Sequence, residues 1–508
     1  MRWIRPISAE LRERPETVGG KALGLALLHR LGLRVPAGFV VTAEACRAFL
    51  RAGRLPAGLH DELATAVADL ERATGRAFGG PRRPLVVSVR SGAGVSMPGM
   101  MSTVLGLGLT TGATAALAAE TGDPRFARDS RRRFLTSFAA TSDAPAPDDA
   151  RRQLELALRA VFASWDAPRA RTYRAVHAIP HELGTAAVVQ AMVFGNRDDH
   201  SGTGVAFSRD PTTGERVPFG DVLFGRQGDD VVSGRSATRP LRELAAREPA
   251  VWAELLDALD RIERHYRDAC YVEFTHQSGE LWFLQVRPGR FGGAAGVRLA
   301  TELVDERLIG REEALRRVSP GQLRHVRTPR IASPGEADVF ARGLGACPGV
   351  AVGRVATTAA LAVRMAGDAP VVLVRPETSP DDLPGLAVAA GVVTARGGPA
   401  SHAAVVARAL DRPAVVGVAG LAVDAEAGTV TAGGRTLGDG DLVTVDGTGG
   451  EIALGRPRVV AHPAGDHLRR LLAWADDVSG DHSARDEAER LAAAHAALAS
   501  RAESRRAN

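Results

Sequence analysis

The sequence predicts a multidomain protein of mixed α/β and α+β class, and three observations predict it. At 508 residues the chain is longer than one hydrophobic core ordinarily serves. Short valine-rich runs, such as residues 85–90, 187–194 and 371–374, alternate with stretches of helical periodicity such as 59–72. Proline-, alanine- and aspartate-rich residues at 141–150, and an arginine- and proline-containing stretch from 319 to 340, interrupt the pattern as linkers would. The expected organisation is a region over 1–318, with subdomains at about 1–140 and 150–290 followed by a helical hinge. A linker over 319–343, a compact unit over 344–458 and a helical tail over 459–508 complete it.

Composition narrows the classes. Hydrophobic residues make up 45% and charged residues 24%, as in soluble globular chains, and no apolar run is long enough to span a bilayer. The opening Met-Arg-Trp-Ile-Arg-Pro is too polar for a signal peptide. Cys46, Cys270 and Cys347 are scattered in apolar surroundings and read as reduced core residues, which predicts the cytoplasm. A formal charge of +5, with arginines interspersed among acids, leaves no basic tract for nucleic acid. Among 64 basic residues Lys21 is the only lysine, and it follows two glycines. That placement favours a compact ammonium over a planar guanidinium.

In chain order, Gly19-Gly20-Lys21 makes a flexible corner whose backbone can approach a ligand closely, and a leucine-patterned helix follows. Thr42 is placed to cap the helix that carries Cys46. The strand over 85–90 ends in Arg90 and enters a loop, Ser91 to Thr103, rich in glycine and hydroxyls that can wrap phosphates. Arg125, Arg128, Arg131, Arg132 and Arg133 follow on a helix. Strands are expected over 187–194, 204–208 and 221–224, then one long helix over about 241–268. Two alternating strands, 270–274 and 281–287, are joined by a turn. Gln285 and Arg287 share a face of the second, with Glu273 on the first. A carboxylate, an amide and a guanidinium facing one way suit magnesium-bound phosphates.

In the third unit Thr378 to Leu383 starts a helix, and Arg396-Gly397-Gly398-Pro399-Ala400-Ser401-His402 makes a tight loop before another. His402 therefore sits at a helix start, where free N–H groups and the positive dipole end favour a phosphoryl group on its imidazole. A neutral imidazole at such a place can take and return that group. Two alanine- and arginine-rich helices, 465–477 and 484–501, close the chain; the second is either a docking element for a partner or a solvated tail.

Taken together these segments resemble the pyruvate, phosphate dikinase family, and more loosely the related phosphoenolpyruvate synthases. The resemblance rests on Gly19-Gly20-Lys21, Val87-Ser-Val-Arg-Ser-Gly92 and Ser96-Met-Pro-Gly-Met-Met101. It rests also on Ser201-Gly-Thr-Gly-Val-Ala-Phe207, Phe283-Leu-Gln-Val-Arg287 and Ser401-His-Ala-Ala-Val-Val-Ala-Arg408, and runs in order from about residue 13 to residue 477. It implies an ATP-grasp nucleotide-binding region followed by a swivelling β/β/α phosphohistidine domain. On this chain, Lys21, Arg90 and Ser91 would hold ATP phosphates, Glu273 and Gln285 would bind Mg2+, and Arg287 would stabilise the transferring group. One of Arg132 or Arg133 would help bind inorganic phosphate. His402 would take the β-phosphoryl group of ATP, giving AMP, and the γ-phosphoryl group would go to phosphate or to water.

The family's pyruvate-binding barrel needs about 250 residues, and with about 30 residues after Asp477 it is expected to lie outside this chain. A separate barrel subunit bearing pyruvate, or another small-molecule acceptor, would then drain the phosphohistidine. Gly94 stands where the dikinases have arginine, Ser102 and Tyr271 where they have aspartate, and Ala400 where plant enzymes carry a regulatory threonine. Residues 139–152 are also shorter than the family's. These departures open an alternative: a catalytically degenerate, ATP-binding paralogue that acts as a regulatory or structural partner of a full dikinase.

Overall fold

The computed structural model describes residues 3–507, apart from 96, 98, 143, 229, 231–237, 290, 324, 325, 327, 328, 333–336, 399, 400 and 462–464. Ser96 and Pro98 of the glycine-rich loop, Ala400, part of the expected linker at 319–343 and residues 462–464 of the expected tail lie outside the described residues. The fold is multidomain, α/β and α+β. Its contacts form two units that do not follow chain order. One comprises Met1–Thr203, Phe224–Gly228 and Val272–Val286; the other comprises Gly204–Leu223, Asp229–Tyr271 and Arg287–Asn508. Among the described residues no helix is long and apolar enough to cross a membrane.

The first unit is built on a sheet in the order Ile4–Pro6, Gly38–Val41, Ala186–Ala191, Val87–Gly92, Thr103–Leu107. Val87, Val89 and Val189 are buried in one core with Leu63, Phe134, Phe138, Leu158 and Phe162, from the helices Leu59–Thr74, Pro124–Ala139 and Ala150–Ala163. Asp123 and Asp149 accept backbone N–H groups at the starts of the last two helices, which fixes where they begin. Thr42 does occupy the cap position of Ala43–Ala52, yet its hydroxyl makes no capping hydrogen bond.

A second sheet runs in the order Arg239–Pro240, Phe219–Phe224, Gly202–Phe207, Cys270–Gln277, Glu280–Pro288. The single long helix expected over 241–268 is two helices, Glu243–Arg247 and Pro249–Tyr266. Pro249 removes a backbone donor and forces Glu248 out of helical geometry, to φ −135° and ψ 67°.

In the second unit an eight-stranded sheet runs Val339–Arg342, Glu451–Leu454, Leu442–Asp446, Val350–Ala356, Val371–Arg375, Gly391–Thr394, Ala414–Val416, Leu344–Cys347. Four consecutive strands of it, from Val350–Ala356 to Ala414–Val416, are parallel, which gathers the loops after them at one edge. The chain enters and leaves this sheet through an antiparallel strand pair, Pro329–Ile331 with Val459–Ala461. The closing helices are Asp466–Ser479 and Glu487–Ala507. Leu491, Ala494 and Leu498 are buried with Leu303, Leu315, Leu471 and Leu472, so the apolar side of the last helix is covered by the chain's own helices.

One ionic cluster ties this unit together. Arg209 is fully buried and pairs with Glu263 at 2.6 Å, Glu302 at 2.9 Å and Glu306 at 2.9 Å. Its partners outweigh its desolvation and raise its pKa further. Arg209→Met leaves Glu263 buried without its cation, and we expect a loss of about 3–5 kcal/mol, measured by urea unfolding followed by tryptophan fluorescence.

Candidate active site

Helix Pro15–Arg30 is kinked at Gly19, where φ is 78° and ψ 157°. A Cβ at Gly19 would lie 1.7 Å from the carbonyl oxygen of Gly92. The close approach that requires glycine at this position is to the chain's own strand. The kink lets Gly20 N–H donate to the Ala93 carbonyl at 3.1 Å and the Lys21 ammonium donate to the Ser91 carbonyl at 2.9 Å. Ser91 thus contributes its backbone to the cluster.

Arg90 is the hub. Its guanidinium donates to the Leu284 carbonyl at 3.0 Å, to Glu273 Oε2 at 2.9 Å and to Gln285 Oε1 at 3.3 Å. Burial and the neighbouring Arg90 charge push the Lys21 ammonium down to about 7, against the pull of Glu273. Two cations face one carboxylate here, so the cluster attracts anions. Sequence spacing alone hid this pairing, since Arg90 and Glu273 come from strands far apart in the chain.

Arg132 and Arg133 are placed elsewhere among the described contacts. Both pair with Asp129, Arg133 at 2.9 Å, and Asn196 donates to the same carboxylate at 3.3 Å.

The second unit holds His402 at the first position of helix His402–Ala409, between the parallel strands Gly391–Thr394 and Ala414–Val416. Gly397, at φ 104°, turns the chain into it. His402 Nδ1 lies 3.0 Å from Thr378 Oγ1, while Nε2 is buried and has no partner among the described residues. Burial lowers the imidazole pKa, with Asp382 opposing, so the ring is neutral at neutral pH. Asp382 is held in turn by the Ser379 N–H at 2.8 Å and by Arg375 at 3.1 Å. Neither Thr378 nor Asp382 was read as a site residue from the sequence. They follow the strand next to the histidine's, and that parallel adjacency is the signal that finds them.

Asp221 packs against the same loop: a Cβ at Gly398 would meet both its carboxylate oxygens at 2.5 Å. Thr378 and a helix start thus frame one imidazole, and Asp221 backs the loop that leads to it. Farther along that helix Arg408 donates to the Ala346 carbonyl at 2.9 Å, and burial, with the Arg287 charge adding, lowers it to about 10. Arg287 itself lies over the ring of Tyr271 at 4.3 Å.

A cation-lined cluster on a glycine corner, and a neutral histidine at a helix start on a parallel sheet, define a nucleotide-binding region joined to a histidine-bearing α/β domain. Comparison with known proteins agrees. The family described as pyruvate phosphate dikinase, AMP/ATP-binding domain, matches residues 15–77 and 51–239, and the PEP-utilising enzyme mobile domain matches 367–450. The chain is 40% identical to pyruvate, phosphate dikinase 2 of Zea mays, covering 91% of this chain and 58% of that protein. It is 38% identical to pyruvate, phosphate dikinase of Rhizobium meliloti (strain 1021), covering 96% and 61%. Over these regions the chain matches the pyruvate, phosphate dikinase family, and residues 15–239 match its AMP/ATP-binding domain. It spans a little over half the length of these relatives.

With the Lys21 ammonium pushed down to about 7 by burial, a polyphosphate bound beside it would hold its proton, so if ATP binds at this corner its binding should take up a proton above that pH. Affinity should be highest below pH 7 and fall by up to about tenfold per unit above it. Calorimetry in buffers of differing ionisation heat reads this directly, and Lys21→Arg should remove the slope.

Proposed function

We propose that this chain transfers the β-phosphoryl group of ATP to Nε2 of His402. The lone pair of Nε2 forms the N–P bond, and the bond from that phosphorus to the bridging oxygen breaks, so that the oxygen leaves with AMP. The γ-phosphoryl group then passes to inorganic phosphate or to water. The observation that carries this reading is the imidazole: Nδ1 is engaged by Thr378 and Nε2 is unpartnered at a helix start. With Thr378 Oγ1 accepting from Nδ1–H, the nucleophilic lone pair lies on Nε2.

Lys21 and Arg90 bind and neutralise the phosphates, which is most of what phosphoryl transfer asks of a protein. Glu273 and Gln285 suit Mg2+: one carboxylate and one amide oxygen already converge on a cation, the Arg90 guanidinium. When bound, that ion offsets phosphate charge; the described residues supply no cluster of three or more carboxylate, imidazole or thiolate groups to hold one alone. Arg287 stabilises the transferring group, and one of Arg132 or Arg133 binds inorganic phosphate. The unit over 344–458 acts as the swivelling carrier, and the strand pair Pro329–Ile331 with Val459–Ala461 supports a pivot at its neck. The phosphohistidine then passes to pyruvate on a barrel, supplied by a separate subunit or domain, or to another small acceptor.

The degenerate, binding-only reading draws on Gly94. A Cβ there would lie 3.1 Å from the Pro15 carbonyl oxygen, so the arginine of the dikinases could not stand in this backbone unchanged. Incubation with Mg2+ and ATP labelled separately at the β and γ positions separates the two. Acid-labile, base-stable β-label that is absent in His402→Ala, with AMP formed, is expected. ATP binding with no label on His402 would replace the kinase reading with the binding protein. Thr378→Val, which frees Nδ1, should slow labelling by roughly tenfold or more while ATP affinity holds.

A further inference from the structure

Arg287 is held in a manner unlike Arg90. Arg287 lies over the ring of Tyr271 at 4.3 Å, the ring of Phe207 is 5.0 Å from that of Tyr271, and Arg408 lies over Phe207 at 5.8 Å. Both rings are buried, at 3% exposure. Arg90 spends its donors on a carbonyl, a carboxylate and an amide. Arg287 is half-buried and, among the described residues, makes neither a hydrogen bond nor an ion pair.

The chemistry of the two arrangements differs. A guanidinium is flat, and its five N–H donors point outward in its own plane. A carboxylate partner takes two of those donors and cancels the charge. A ring stacked on the face holds the group by its quadrupole, leaving the edge donors and the full charge in place. The Arg408 charge nearby adds to the field at this stack, so an anion is the natural guest.

We propose that Tyr271 is a positioning residue for phosphoryl transfer: its ring, backed by Phe207, aims Arg287 at the transferring phosphoryl group without consuming its donors. The tyrosine stands where the resemblance sets an aspartate, and its ring leaves Arg287 the charge and the donors that a carboxylate partner would take. The proposal rests on the histidine-kinase reading above.

The test compares full-length wild type, Tyr271→Phe and Tyr271→Leu in β-label transfer to His402. Tyr271→Leu should lower the saturating rate by about tenfold or more, with KM for ATP within about threefold. Tyr271→Phe, which keeps the face, should restore the rate to within about threefold of wild type. Wild-type rate in the leucine variant, a phenylalanine variant as slow as leucine, or a loss carried wholly by KM would each overturn it. If Tyr271→Leu does not fold, Tyr271→Met, flexible and unstacked, replaces it under the same criteria.

Should wild type not label His402, the kinase reading fails and a second measurement judges Tyr271 alone. Phenylglyoxal modification of Arg287 is mapped by mass spectrometry with and without inorganic pyrophosphate. Protection by pyrophosphate in wild type and Tyr271→Phe, and its loss in Tyr271→Leu, is the expected result. Equal protection in all three would overturn the role.

Discussion

The Arg90 guanidinium binds together groups that the chain separates by 183 to 195 residues. The rest of the first cluster depends on that clasp. It holds the hairpin strands bearing Glu273 and Gln285 against Val87–Gly92, and its charge helps strip the proton affinity of Lys21. The Gly19 kink is its geometric complement, because only a residue without Cβ allows the lysine's turn to lie on the Gly92 carbonyl. Carboxylate, amide, ammonium and guanidinium end within reach of one another, with positive charge in excess.

The second unit solves a different electrostatic problem. On the proposed function, its imidazole must stay neutral while a phosphoryl group arrives with its negative charge. Burial keeps His402 uncharged, and the helix start supplies partial positive charge at no cost in proton affinity. Thr378 reads out one ring nitrogen and leaves the other. Asp221 and Gly398 show how tightly that loop is fitted, since even one methyl carbon would strike the carboxylate.

Much of this was legible in the sequence. The strand at Val371–Arg375 and the helix start at His402 follow from local valine patterning and turn chemistry, which act over a few residues. Lys21, Arg90, Glu273, Gln285, Arg287 and His402 stood out because residue type and motif suffice to mark them. What stayed hidden is long-range. Nothing local says that Lys21 meets the Ser91 carbonyl, that Arg132 and Arg133 share Asp129, or that Thr378 meets a ring 24 residues on. The break at Glu248 was a local miss: Pro249 was in view, and helical periodicity across it was allowed to outvote the missing donor.

The solitary lysine has a practical side. Amine-reactive reagents find one internal target on this chain, and it lies beside Arg90 and Glu273. Thiol reagents find none at the surface: Cys46, Cys270 and Cys347 are all buried, their thiols pushed up to about 12 by burial. Within the folded protein, amine coupling to a bead or a dye would therefore strike the corner at Lys21, and thiol coupling would find no exposed side chain. Attachment that preserves ligand binding has to go through a chain end or an introduced residue, and acylation stoichiometry at Lys21 itself becomes a gauge of how much of that corner is occupied.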